Sequence, residues 1–264
     1  MVPGQSEGVL LSFCGSEIRI DRSTFRSIAE RENIEPFQVP PVESSAEGRL
    51  ALRVVGPGEG GWMAFEPSSG ASGAYRLTPQ GIEVSEETNA LGLSLALRGL
   101  FSLAVERKSG VLVHASCVSW DGRAALITGV SGAGKSTLAR WGMKAGGTLL
   151  SDEVVGVLPD GTVLGTPFRS DPDQLGTPTS AQLSAAVTLR HDGHESFEPL
   201  PVHRMVEALC EQTFRRGGSP TARQALICLG RAVERARTGV LACRNAAEAG
   251  VALRELVLAW SPPT

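Results

Sequence analysis

Three groups of residues in this chain have types and spacings suited to chemistry on a phosphate. The first is the run from Gly129 to Thr137, G-V-S-G-A-G-K-S-T, which contains G-x-x-x-x-G-K-S. Gly129, Gly132 and Gly134 carry no side chains to block close approach and reach backbone angles that other residues avoid. The amides of Val130, Ser131, Ala133 and their glycine neighbours can therefore converge on one anion. A helix opening at Lys135 would point its N-terminal N–H groups and dipole at the same spot. Lys135 adds a full positive charge, the Ser136 hydroxyl suits a magnesium ligand, and Thr137 follows in the first turn. The second group is Asp152-Glu153, 17 positions beyond Lys135. Two adjacent carboxylates can divide the work, one holding Mg2+ and one accepting a proton. The third is His114, 21 positions before Lys135. For a lone histidine on a strand, a packed or solvated residue is the plainer reading.

These residues need elements to hold them. "VLVHASCVSW" and "RAALITGV" are apolar runs flanking Asp121-Gly122, a hairpin signal because Gly accepts positive φ. The second run delivers the chain to Gly129, and His114 falls on the first strand of the pair. The helix from Lys135 ends near "KAGG", and "TLLS" (148–151) is a short buried-type strand running into the acids. The spacing places both acids at the carboxyl end of a strand next to the glycine-loop strand, where ligands bind in α/β sheets. "VVGVLPDGTVLGTP" reads as a hairpin turning at Asp160-Gly161, and "SAAVTLRHDG" as one more strand. "VHRMVEALCEQTF" and "TARQALICLGRAVERA" read as helices, then "GVLACR" as strand and "AAEAGVALRELVLAW" as helix.

Upstream, "GVLLSF" and "EIRI" are strand candidates, and "STFRSIAERE" is a short helix with Ser23 as its cap. "RLALRVV", "GWMAFEP" and "GAYRLT", separated by Gly/Ser/Pro clusters, predict a small antiparallel meander. Residues 90–110 form a long apolar stretch ending in basic residues and Gly110, a buried helix with its stop. The expected organisation is a small α+β region over 1–90 and an α/β nucleotide-binding domain over 91–264.

Composition narrows the class. With 264 residues, 42% hydrophobic and 20% charged, the chain has the makings of folded domains with real cores. A net charge of −3 supplies no global field for nucleic acid or acidic membranes. Five cysteines, odd in number and without a C-x-x-C pair, point to neither a disulfide framework nor zinc, and fit a reducing cytoplasm. The start, "MVPGQSEGVLLSF", lacks the basic-then-apolar pattern of a signal peptide, and no apolar run reaches transmembrane length. The expectation is a cytoplasmic protein without nucleic-acid or membrane partners.

Phosphoryl transfer also needs positive charge beyond one lysine. Arg169, in "GTPFRSD", and Arg190, in "TLRHDG", are the nearest downstream candidates, with surface or ion-pair arginine as the plainer reading. His191, His194 and His203 match no standard zinc spacing, and their "RHDGHESFEPLPVH" context reads as a loop. The C-terminal arginines read as a solvated helical face, or as a basic patch for an acidic peptide. Trp62, Trp120 and Trp141 read as core or edge packing.

Residues 111–161 resemble the catalytic core of the HPr kinase/phosphorylase family, and more closely the HPr-kinase-like proteins found beside peptide-modification genes. The matching pattern is a strand histidine (His114), an aliphatic strand, the loop G-x-S-G-x-G-K-S (Gly129, Ser131, Gly132, Gly134, Lys135, Ser136), a helix, a glycine turn and two acids (Asp152, Glu153). The resemblance implies the P-loop kinase fold also found in phosphoenolpyruvate carboxykinase, and an ATP-dependent serine kinase. By the same resemblance, Lys135 and the loop amides hold the ATP phosphates, and Ser136 with Asp152 serves Mg2+. Glu153 stands where the family has its second Asp, the catalytic base, so the base is either Glu153 or Asp152. The family's E-I-R-G stretch has no counterpart after residue 161, and the phosphorylase reaction is not carried over. Family members form ring-like oligomers, which implies a homo-oligomer here.

Three readings follow. The leading one moves the γ-phosphoryl of ATP to a serine hydroxyl on a protein or precursor peptide. The second is a small-molecule kinase acting on free serine or a sugar. The third is a nucleotide-binding regulatory module with slow ATPase activity. Acceptor-dependent ATP turnover separates the first two from the third, and acceptor size separates the first from the second.

Overall fold

The structure is a computed structural model, and it describes residues 8–40, 49–56, 60–66, 69–171, 173–190, 196–215, 220–242 and 247–260. The chain divides into two compact units, Met1–Ala104 and Val105–Thr264. The first contains β1 (Gly8–Phe13), β2 (Ser16–Asp21), α1 (Arg22–Ala29), a 3-10 turn at Glu35–Phe37, β3 (Gln38–Val39), β4 (Arg49–Val55), β5 (Met63–Ala64), β6 (Ala74–Thr78), β7 (Gly81–Ser85) and α2 (Ala90–Glu106). Its strands lie in the order β3-β1-β2-β4-β7-β6-β5. The pairs β2/β4 and β4/β7 are parallel, so the sheet is mixed and not the expected antiparallel meander. The short strand "GIEVS", β7, lies between β4 and β6, parallel to the first and antiparallel to the second. The cap of α1 is Asp21 rather than Ser23; the Asp21 carboxylate accepts from Thr24 N at 2.9 Å, and Ser23 donates its hydroxyl to the same group.

The division between units falls within α2, after Ala104, beyond the composition change near residue 90. The helix is held by its own unit. Phe101 stacks on Phe13 at 4.1 Å between ring centroids and meets Phe37 edge-on at 6.1 Å. Ser94 donates to buried Glu32, and Arg98 lies 3.5 Å from the same carboxylate.

The second unit contains β8 (Val111–His114), β9 (Ser116–Trp120), β10 (Arg123–Thr128), α3 (Lys135–Lys144), β11 (Thr148–Ser151), β12 (Val154–Val157), β13 (Thr162–Leu164), β14 (Ser180–Arg190), β15 (Ser196–Pro199), α4 (Val202–Glu211), α5 (Ala222–Val233), β16 (Arg237–Ala242) and α6 (Ala247–Leu258). One nine-stranded sheet runs β11-β9-β10-β14-β13-β12-β8, with β16 pairing both β14 and β15. β15 lies within a stretch expected to be loop; it pairs antiparallel with β16. The β9/β10 hairpin turns at Asp121-Gly122, both at positive φ (50° and 75°), the conformation that the dipeptide predicts. β14 runs parallel to β10, so both end on the same edge of the sheet.

Alternation along β10 sorts its side chains between two cores. Ala124 and Leu126 join Met205 and Leu209 of α4 and Leu229 of α5, whereas Ala125 and Ile127 join Leu138 of α3 and Leu253 and Val257 of α6. Each buried leucine or isoleucine contributes roughly 1.5–3 kcal/mol of transfer free energy. The strand that ends at the glycine loop is thereby clamped on both faces.

The first apolar run breaks at Ala115, so His114 ends β8 rather than lying on the hairpin strand β9. β8 pairs with β12, and β9 with β11, both antiparallel. The two ladders are halves of one, interrupted where Ala115 faces Asp152 and Glu153. Across the break, Ala115 N donates to Glu153 O at 3.2 Å, and Ser116 Oγ to Asp152 O at 3.1 Å. No helix among the described residues is long and apolar enough to cross a membrane.

Candidate functional site

The glycine loop leaves β10 after Thr128 and enters α3 at Lys135. Gly132 and Gly134 lie at φ 80° and 87°, in the left-handed region that disfavours side chains, and Gly134 caps the helix in that conformation. The first helical bond is Leu138 N to Gly134 O at 2.9 Å. The amides of Lys135, Ser136 and Thr137 consequently have no intrahelical acceptor. Val130, Ser131 and Gly132 form the exposed tip of the loop, with Gly129 and Ala133 half-buried at its base. The Lys135 ammonium is buried within the loop and donates to Gly129 O at 2.9 Å and Val130 O at 3.1 Å. Burial pulls its pKa below the ordinary lysine value, against an opposing electrostatic pull from Glu153.

Asp152 is 1% exposed, and its carboxylate is fixed by one short segment. Ser170 N donates to Oδ1 at 3.1 Å, while Ser170 Oγ at 2.9 Å and Asp171 N at 3.1 Å donate to Oδ2. Burial pushes the Asp152 pKa up, these hydrogen bonds pull it back, and Glu153 adds to the rise. The Ser170 hydroxyl also lies 3.1 Å from that of Ser136. The segment is tied to the loop helix in two further places: Asp171 pairs with Arg140, and buried Gln174 donates to Ser136 O at 3.0 Å and to Asp171 Oδ2 at 3.2 Å. Its base is anchored by Ser151 Oγ, which donates to Phe168 O at 3.0 Å.

Ser170, Asp171 and Gln174 are site neighbours that sequence reasoning missed. Their only signal is a Ser-Asp pair after an apolar Phe168, too common in turns to single out. The strand placement of the acids also differs from expectation. β11 is not adjacent to β10, because the Asp121-Gly122 hairpin puts β9 in that slot. Two successive antiparallel pairings leave β11 parallel to β10, so Asp152 and Glu153 still emerge on the edge where the glycine loop emerges.

His114 reaches the same edge from β8, where it pairs with Val154 of β12. Its Nε2 lies 3.7 Å from Glu153 Oε2, with both side chains partly exposed. Arg190 is engaged elsewhere, in a two-pronged pair with Glu198 of β15. Arg169 directly precedes Ser170 and is half-buried. His203 is exposed on α4; His191 and His194 lie outside the described residues. No cluster of three His, Cys, Asp or Glu residues fit for a metal occurs among the described residues. The donor set beside the loop is instead the Ser136 hydroxyl and the Asp152 carboxylate, bridged by the Ser170 hydroxyl. Such an all-oxygen set fits a hard cation that keeps several waters, as Mg2+ does. Trp120 is core, while Trp141 carries the Lys144 ammonium 4.2 Å from its ring centroid.

No protein-family profile matches the chain, and no curated protein matches it. Among solved structures, it is similar to the Hpr(Ser) kinase/phosphatase from Coxiella burnetii. The match has 14% identity over 55% of this chain and 87% of that one, with a TM-score of 0.29.

Proposed function

We propose that this chain is an ATP-dependent kinase that moves the γ-phosphoryl group to a serine hydroxyl of a protein or precursor peptide. One observation supports this reading above the others. The glycine loop with Lys135, buried Asp152 and the His114–Glu153 pair emerge together on one edge of one sheet. An anion-binding loop alone would suit any nucleotide-binding module; two carboxyl groups of different exposure beside it suit transfer to an acceptor.

The residues divide the reaction as follows. The free amides at the start of α3 and the loop amides bind the phosphates, and Lys135 gives them a fixed positive charge. Ser136 and Asp152 would hold Mg2+, which when bound neutralises charge on the transferring group. Glu153, half-buried and so within reach of an incoming hydroxyl, takes the proton of the acceptor serine as its oxygen attacks. His114, with its Nε2 3.7 Å from Glu153 Oε2, orients that carboxylate at the sheet edge.

The test is mass spectrometry of serine-bearing proteins and peptides after incubation with ATP and Mg2+. One added phosphate on serine, abolished by Lys135→Ala and strongly reduced by Glu153→Ala, is the expected result. Tight ATP binding with no transfer to any acceptor would instead favour a regulatory nucleotide-binding module.

A further inference from the structure

The hydroxyl of Ser170 stands between the two groups assigned above to the metal, and the direction of its hydrogen bonds can be worked out. An ionised carboxylate only accepts, so in the 2.9 Å contact with Asp152 Oδ2 the proton belongs to Ser170 Oγ. A hydroxyl has one proton. In the 3.1 Å contact between the two serines, Ser136 Oγ must therefore be the donor and Ser170 Oγ the acceptor. The Ser136 proton is thus turned toward Ser170, and both Ser136 lone pairs remain for another partner. The same count applies to Asp152. Of about four acceptor positions on a carboxylate, Ser170 N takes one on Oδ1, and Ser170 Oγ with Asp171 N takes both on Oδ2. One lone pair is left, on Oδ1.

We infer that Ser170 is a positioning residue for the metal: by accepting from Ser136 and donating to Asp152, it leaves lone pairs on Ser136 Oγ and Asp152 Oδ1 for one divalent cation. This assignment rests on the kinase reading and adds to it. Asp152 serves as a one-oxygen ligand, because its second oxygen is saturated by protein donors. The segment carrying Ser170 is braced by the Asp171–Arg140 pair and by Gln174 on Ser136 O, so the relay is held from both ends. Phosphate contacts through the loop amides and Lys135 do not pass through Ser170.

The assignment separates metal-dependent from metal-independent binding. Titration calorimetry of ADP into the full chain, with Mg2+ and then with EDTA, gives two affinities for each variant. Loss of both relay hydrogen bonds is expected to weaken Mg2+-supported binding of ADP by about five- to a hundredfold in Ser170→Ala. Affinity in EDTA is expected to be unchanged, and Ser170→Thr, which keeps the hydroxyl, to restore the Mg2+ gain. Ser170 is exposed, so the variants are expected to melt as wild type does. Equal weakening with and without Mg2+, or no weakening at all, overturns the assignment while leaving the kinase reading intact. Wild-type protein that binds ADP no better with Mg2+ than with EDTA overturns the assignment. Wild-type protein that binds no nucleotide overturns the kinase reading and the assignment together.

Discussion

His114 Nε2 stands 3.7 Å from Glu153 Oε2, although 39 positions separate the two residues and each lies at a strand end. The distance is too long for a hydrogen bond and short enough for charge to be felt. Partial exposure of both side chains leaves the pair open to an arriving substrate. Asp152, by contrast, is 1% exposed and holds three hydrogen bonds from Ser170 and Asp171.

Replacing Glu153 by Gln keeps the size and removes the basicity. The variant is expected to lose about 10²–10⁴-fold in kcat for serine transfer with ATP affinity unchanged. Single-turnover transfer alongside calorimetry separates the two quantities. Glu153→Asp is expected to fall in between, since a shortened side chain misplaces the base.

Lys135 gives the pH dependence. Desolvation lowers its pKa, and the pull from Glu153 only partly offsets this, so the ammonium loses its proton at a lower pH than an exposed lysine. Nucleotide affinity is accordingly expected to fall with rising pH, beginning below the ordinary lysine value of about 10.4. Affinity measured across the alkaline range checks this. Lys135→Arg keeps its charge there and is expected to remove the decline.

Two glycine substitutions are expected to act in opposite directions. At Gly165 an added methyl would lie 1.8 Å from Thr177 O and 2.9 Å from Leu150 O, both backbone atoms. Gly165→Ala is expected to destabilise by about 1–3 kcal/mol and to disturb transfer, because the displaced segment carries Ser170. Gly230, inside α5, meets nothing within 4 Å, and Gly230→Ala is expected to stabilise by about 0.5–1 kcal/mol. Thermal melts of the three proteins read both effects.

Thiol labelling reports on the core. Burial pushes the Cys228 thiol up to about 12 and raises that of buried Cys117 as well. Almost no thiolate exists at either position near neutral pH. Peptide mapping after alkylation at pH 8 is expected to find both unmodified in the native protein and both modified after denaturation.

Much of this arrangement is legible in the sequence because it is local. The loop, the Asp121-Gly122 turn, α3 and β11 each follow from residues within a few positions of one another. What is not legible is long-range. That β9 would separate β10 from β11 depends on which strand fills the slot after a tight hairpin, and nothing in "TLLS" announces it. Ser170 reaches Asp152 across 18 positions that include β12 and β13, through contacts that leave no pattern in the chain. The Asp21 cap is illegible for a smaller reason: Ser23 is also a capping residue type, and only geometry shows that it serves the Asp21 carboxylate instead.

The interruption between the two strand ladders decides how unlike the two acids become. Asp152 and Glu153 form a bend between β11 and β12. Asp152 is turned inward, to 1% exposure, and Glu153 outward, where it meets His114. The bend thus gives one carboxyl group a fixed, dry setting and its neighbour a partly exposed one. The break in pairing at that bend is therefore as much a part of the chemistry as the acids themselves.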